Sequence, residues 1–227
     1  MTLQETMTTL EKLGKEQTRK TYRRHGAGDN VFGVSFADFG KLQKKIRRDH
    51  ALARQLWDTG NEDARCLALM IADPAQASEK ELDAWAGSIT WKTHADLFAQ
   101  HVVSKASCRH KMMDRWRKSK TEYVSRLGWD LVTLAARNDA GLPESYFEER
   151  LKEIEAGIHQ APNLTRSAMN GALIGIGLRN EGLKRKALAA AKKIGKVVVD
   201  HGDTDCRTPD AAAYIEKASA RKKAAVC

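Results

Sequence analysis

Apolar residues recur along this chain at the three- and four-residue intervals that place side chains on one face of an α-helix. Leu3, Met7, Leu10 and Leu13 form such a stripe among Thr, Glu, Lys and Gln, and the helix they predict closes on Tyr22-Arg23-Arg24-His25-Gly26. After a loop holding Gly and Asn, Ser35 with Asp38 three residues on has the form of a capping box, opening a helix through Phe39, Leu42 and Ile46. Leu52, Leu56 and Trp57 make the next cluster. Asn61 then caps a helix carrying Ala64, Leu67, Ala68 and Ile71, and Asp73-Pro74 stops it because proline has no amide hydrogen for the ladder.

The same order of polar cap, apolar stripe and short break runs on to the end of the chain. Ser78 precedes Leu82 and Trp85, and one helix from about Trp91 to Lys105 buries Leu97, Phe98, Val102 and Val103. Ser119 and Glu122 repeat the capping-box pattern before Val124, Leu127, Leu131 and Leu134, and Pro143 sits in a first helical turn ahead of Phe147, Leu151, Ile154 and Ile158. Gly171 and Gly175 form a GxxxG that predicts close helix packing. Leu183, Ala187, Ala190, Ile194 and Val197 close a stripe near Val197-Val198-Val199, the best strand candidate, and one three-residue strand does not make a sheet. Thr208 caps a terminal helix with Pro209 and Asp210 in its first turn, and the tail is expected to fray from about residue 216. About ten or eleven helices with short connections predict an all-α fold of packed helix pairs, compatible with an α-α superhelix or HEAT-like repeat solenoid.

Length and composition narrow this further. A chain of 227 residues without a marked composition shift is expected to be a single domain, residues 1–227, and four prolines leave room for long helices. No window reaches the run of about 18 apolar residues that a membrane span needs, and the first residues lack a signal-peptide apolar region, so no membrane partner and a cytoplasmic location are expected. Cys66, Cys108, Cys206 and Cys227 are scattered without a CxxC pair, which reads as free thiols. Asp200-His201-Gly-Asp203-Thr-Asp205-Cys206 brings carboxylates, imidazole and thiolate together, but no second ligand group accompanies it, and the segment reads as a polar turn with no metal.

The formal charge of +10 favours polyanionic partners, and it is unevenly placed. Lys105, Arg109, Lys111, Arg115, Arg117, Lys118, Lys120 and Arg126 crowd one stretch against Asp114 and Glu122. Lys44, Lys45, Arg47 and Arg48 lie in a second, and Arg185, Lys192 and Lys196 share one side of a later helix, opposite its apolar stripe. Arg126, Asp130, Thr133 and Arg137 fall along one helical face. Asp58 to Asp83 and Asp139 to Glu155 are net acidic. Solvated helix faces account for any single cluster; several together point to sequence-independent, salt-sensitive phosphate contact.

One segment carries candidate chemistry. Trp85, Trp91, His94 and Asp96 fall within roughly three helical turns. An aromatic face beside a carboxylate suits a cationic substrate, since the ring attracts the charge and the carboxylate stabilises a developing oxocarbenium ion. Core packing of the two indoles is the plainer explanation.

The chain resembles the DNA alkylation repair family, the AlkD-like HEAT-repeat DNA glycosylases, as a divergent member. The resemblance rests on Asn30-Val-Phe-Gly-Val34, on Leu56-Trp57 with Glu62-Asp-Ala-Arg65-Cys-Leu-Ala68, and on Trp116 with Ser119 and Tyr123 to Arg126. It extends to Val199-Asp-His-Gly-Asp-Thr-Asp-Cys206 and Thr208-Pro-Asp-Ala-Ala-Ala-Tyr-Ile215. It implies a monomeric α-solenoid whose basic surface holds duplex DNA, and a cofactor-free, metal-independent excision of cationic alkylpurines by a Trp/Asp pair. The family aspartate falls on Asp96, with Trp91 as the nearby aromatic and Lys92 four residues before the carboxylate, where the glycosylases carry Trp. The second active-site Trp falls within Asn170 to Ala172, which holds no aromatic residue, and the paired Arg becomes Ser125-Arg126. The expectation is therefore a DNA-binding protein and, if an enzyme, an alkylpurine glycosylase acting through Asp96 and Trp91. The alternative is a non-catalytic scaffold for nucleic acid or an acidic protein.

Overall fold

In the computed structural model residues 1–224 are described, and every regular element among them is helical. Along the chain come α1 (Leu3–Leu13), α2 (Glu16–Arg24), α3 (Phe36–Ile46), α4 (His50–Asp58), α5 (Glu62–Ile71), α6 (Glu79–Gly87) and α7 (Lys92–Leu97). A π-helical turn (Phe98–Val102) and a 3-10 turn (Val103–Lys105) follow α7. Then come α8 (Arg109–Trp116), α9 (Glu122–Asn138), α10 (Glu144–Gly157), α11 (Asn163–Gly177), α12 (Glu181–Ile194) and α13 (Ala211–Ala224).

The apolar stripes became the buried faces, and most caps stand where the pattern put them. Ser35, Asn61 and Ser78 accept from the amides of Asp38 (3.2 Å), Ala64 (3.0 Å) and Glu81 (3.2 Å). Several ends differ. The first predicted helix is two, broken at Gly14, where a side chain would come within 2.5 Å of the Phe32 carbonyl oxygen. The helix expected from Trp91 to Lys105 changes winding twice after Leu97. Glu122 does not close a capping box with Ser119; α9 begins after Thr121, and the Glu122 carboxylate instead accepts from the Leu164 amide (2.6 Å) at the start of α11. The last helix is capped by Asp210, which accepts from Ala213 (2.8 Å), while Thr208 pairs with His201 (3.0 Å). That helix continues past residue 216 to Ala224; residues 225–227 lie outside the described ones. Val197-Val198-Val199 joins no sheet. Its neighbour Asp200 is held by the Asn163 side chain, which donates to the Asp200 carbonyl (2.7 Å) and accepts from its amide (2.8 Å), mimicking a strand partner.

The described residues pack as two units. In the first, residues 1–110 with 202–204, α5 is the centre: α3, α4 and α7 all lie against it, and Leu67, Leu69 and Ile71 are fully buried. In the second, from Lys111 onward apart from that short return, α9 packs along α11, with α10, α12 and α13 around them. The GxxxG lies in this contact, where a side chain at Gly175 would meet Thr133 Cγ2 at 3.1 Å.

A loop in the first unit shows what the most distinctive sequence motifs do. The fully buried Asp63 carboxylate accepts from the amides of Phe32 (2.5 Å), Gly33 (3.1 Å) and Val34 (2.7 Å), and the neighbouring Glu62 accepts from Gly28 (2.9 Å). The start of α5 thus holds the segment at both ends, through the otherwise orphaned amides of Gly28 and of Phe32 to Val34.

Candidate nucleic-acid interface

The segment from Trp85 to Asp96 separates into an inside and an outside. Trp91 is only 1% exposed and its indole N–H donates to the His25 carbonyl (3.1 Å); Tyr22 and His94 lie against its ring at 5.1 and 4.9 Å. Trp85 stacks on Trp57 at 4.7 Å. Asp96 points outward, its side chain half exposed and 4.0 Å from the Lys92 ammonium one turn earlier. The start of α7 therefore holds the aromatic and the carboxylate apart: Trp91, His94 and Ala95 are buried, with His94 against Glu62 of α5 and Trp91 against Tyr22 and His25, while Asp96 faces outward.

His94 is fully buried, and its Nε2 lies 2.9 Å from the Glu62 carbonyl, which can only accept, so Nε2 carries the proton. Nδ1 then faces the Glu62 carboxyl at 3.4 Å. Burial pushes the His94 pKa from its ordinary 6.5 down to about 4, and burial pushes Glu62 up from 4.5. The two act on stability in opposite senses. The His94 contribution is complete above pH 6.5 and is lost as pH falls towards 4; the Glu62 contribution is complete below pH 4.5 and is lost as pH rises through its raised value. The stability difference between wild type and His94→Gln is expected to change by about 3 kcal/mol between pH 7 and pH 4 in urea titrations, wild type losing more. A difference independent of pH would mean that the imidazole is not held neutral.

The cations sort into exposed and enclosed groups. In the first unit Lys44, Lys45, Arg47 and Arg48 are exposed at the end of α3, and Lys105 is exposed on the 3-10 turn. Arg47, Arg48 and Lys105, distant in sequence, line one cavity together with His101, a residue the charge count overlooked because it is neutral there. In the second unit Lys111, Arg115, Lys118, Lys120 and Arg185 are exposed; Arg109, near the end of the first unit, is half-buried. Arg115 also donates to the Met112 sulfur (3.1 Å). Lys192 and Lys196 line a cavity of about 930 Å³ with Arg207, another residue that lies outside the sequence clusters.

Arg117 and Arg126 are not surface cations. Arg117, its side chain 6% exposed, is hydrogen-bonded to Glu153 and pairs with Asp114 at 3.3 Å, in a network that Arg150 and Tyr146 complete. Arg126, 4% exposed, pairs with Asp130 at 3.2 Å. Thr133, one turn further along the same face, lies against Gly171 and Gly175 of α11, and only Arg137 at the far end of the face is exposed. Charged periodicity marks a face; which neighbour covers that face is a tertiary fact.

Among the described residues no three His, Cys, Asp or Glu side chains converge as metal ligands, and no helix is long and apolar enough to cross a membrane. What the structure presents is an all-α, HEAT-like repeat protein whose accessible polar chemistry is mainly cationic. Residues 6–214 match the family model described as DNA alkylation repair enzyme, and the chain belongs to that family. It is 32% identical over 220 residues to an uncharacterised protein of Listeria innocua, covering 94% of this chain and 96% of the other. An uncharacterised protein of Listeria monocytogenes is also 32% identical, over 222 residues, at 95% and 96% coverage. A solved structure superposes with a TM-score of 0.90 at 32% identity, covering 98% of this chain and 95% of its own. That protein is described as part of a new family related to the HEAT-like repeat DNA glycosylases, with affinity for branched DNA structures.

Proposed function

We propose that this is a cytoplasmic DNA-binding protein that grips the phosphate backbone through its exposed Lys and Arg, prefers branched DNA, and excises no base. The observation that carries the reading is the pairing of exposed cations at the end of α3 and along α8 and α12 with a fold shared, at a TM-score of 0.90, with a protein that has affinity for branched DNA. Such contacts neutralise phosphates and release counterions, so binding weakens linearly on a log–log scale as salt rises.

The position of Trp91 supports the non-catalytic half. An indole that is 1% exposed and hydrogen-bonded to His25 offers no face to a damaged base. A cationic alkylpurine approaching Asp96 would also meet the Lys92 ammonium 4.0 Å from that carboxylate. The competing reading, excision with Asp96 stabilising the sugar cation, draws on the exposure of this carboxylate alone.

Fluorescence anisotropy with a four-way junction and a linear duplex of the same length tests the binding. The junction is expected to bind tighter, with a steep salt dependence; equal affinity removes the branched preference, and no binding at low salt removes the DNA reading. For the chemistry, release of methylpurines from alkylated duplex is expected to stay at background for wild type and for Asp96→Asn alike. Release that disappears in Asp96→Asn establishes the glycosylase instead.

A further inference from the structure

In the first unit the ends of three helices meet around a cavity of about 240 Å³. Gln43, Arg47 and Arg48 come from the end of α3, Met70 from the end of α5, and His101 and Lys105 from the turns after α7. The double change of winding after Leu97 matters here, because it sets the phase in which His101 and Lys105 leave α7. Gln43 is already committed, its amide donating to the Met70 carbonyl (2.9 Å) and fastening α3 to α5. The remaining polar groups facing the cavity are three cations and a half-buried imidazole.

Arg47 holds an unusual backbone. Its φ of 65° and ψ of −127° lie where glycine sits easily and a residue with a Cβ does not, and among the described residues it is the one non-glycine with positive φ. The chain supplies its own comparison. Helix α12 ends in nearly the same way, with φ 71° and ψ −149° and the same amide bond back four residues, and there the residue is Gly195. An arginine therefore stands in a helix-end conformation that the same sequence elsewhere gives to glycine. The backbone gains nothing from this; what the arginine adds is a guanidinium on the cavity.

The charge at the cavity is not balanced locally. Asp73 pairs with Arg48 at 3.6 Å, while Arg47 and Lys105 have no carboxylate partner among the described residues. Burial and the neighbouring Lys105 lower the His101 pKa, so the ring is neutral at pH 7 and offers one N–H donor. Cations at helix C-termini also oppose the negative end of the helix dipole, and that role alone would make Arg47 stabilising. The two roles predict opposite signs when Arg47 becomes glycine.

We propose that this cavity is a phosphate-binding site that takes one phosphodiester of bound DNA, with the Arg47 guanidinium as its principal contact and Arg48, Lys105 and the His101 N–H around it. The proposal deepens the DNA-binding reading and takes its ligand from it. Its shared chemistry with free phosphate allows the two to be tested separately.

The full-length chain and Arg47→Gly are compared in thermal melts and in junction binding, with Lys105→Ala as a second variant. Arg47→Gly is expected to melt at the wild-type temperature or a few degrees above it. Its junction affinity should fall about five- to tenfold, and its log–log salt slope should flatten by about one. Lys105→Ala should lose affinity similarly with no change in melting. A lower melting temperature for Arg47→Gly with junction affinity unchanged overturns the proposal in favour of the helix-dipole role. Inorganic phosphate separates this site from the wider DNA reading. If wild type binds no DNA, a phosphate-dependent rise in melting temperature that Arg47→Gly lacks sustains the site with free phosphate as its ligand, and no phosphate response overturns it.

Discussion

Asp63→Ala is expected to destabilise the first unit by roughly 3–6 kcal/mol, because it strands three amides at about 1–3 kcal/mol each. The carboxylate is fully buried and accepts from Phe32, Gly33 and Val34 with both of its oxygens. Asp63→Asn keeps one acceptor oxygen but turns two N–H donors against the amides, so it should be only partly better than the alanine variant. Urea unfolding followed by circular dichroism measures the loss, and limited proteolysis should find new cleavage between residues 28 and 34. A cost below about 1 kcal/mol would mean that water satisfies these amides and that the segment is not held from α5.

Gly128→Ala is expected to cost about 3 kcal/mol or more, by overpacking rather than by loss of a bond. A Cβ there would lie 2.1 Å from the Arg117 amide nitrogen and 2.5 Å from its Cα, which are backbone atoms that cannot rotate away. The Ser125 hydroxyl already ties α9 to the same place by donating to the Arg117 carbonyl (3.2 Å). Gly40, inside α3, provides the control of opposite sign. A methyl group there meets nothing within 4 Å, so Gly40→Ala should stabilise by about 0.5–1 kcal/mol through helix propensity. If Gly128→Ala and Gly40→Ala shift the melting temperature in the same direction, close approach is not what selects glycine at position 128.

The helices themselves were legible because periodicity and capping are local. Ser35, Asn61 and Ser78 cap because a short acceptor three residues ahead of an amide needs no help from the rest of the chain. Glu122 shows where that reasoning stops. Its spacing from Ser119 suits a capping box, yet its carboxylate serves the start of α11, more than forty residues later. The same holds for Asn30-Val-Phe-Gly-Val34 and Glu62-Asp63-Ala-Arg65, which carry the family resemblance and turn out to be the two halves of one buried contact. In this chain those two motifs serve folding, since their side chains and amides bond to each other.

The candidate site divides in the same way. Sequence alone located the cationic stretches and the Trp91 to Asp96 segment, since charge and residue type can be read without coordinates. Only the fold decided that Trp91 is enclosed while Asp96 is exposed, and that Arg117 and Arg126 are spent on Glu153, Asp114 and Asp130. Only the fold brought Arg47, Arg48 and Lys105 to one cavity and put an arginine where a helix end favours glycine. The sequence by itself determined an all-α chain of capped amphipathic helices with a strong basic excess, because those properties repeat every few residues. The tertiary structure determined which cations remain available, because availability depends on the element that packs across each helix face, and that partner is set by contacts tens of residues apart.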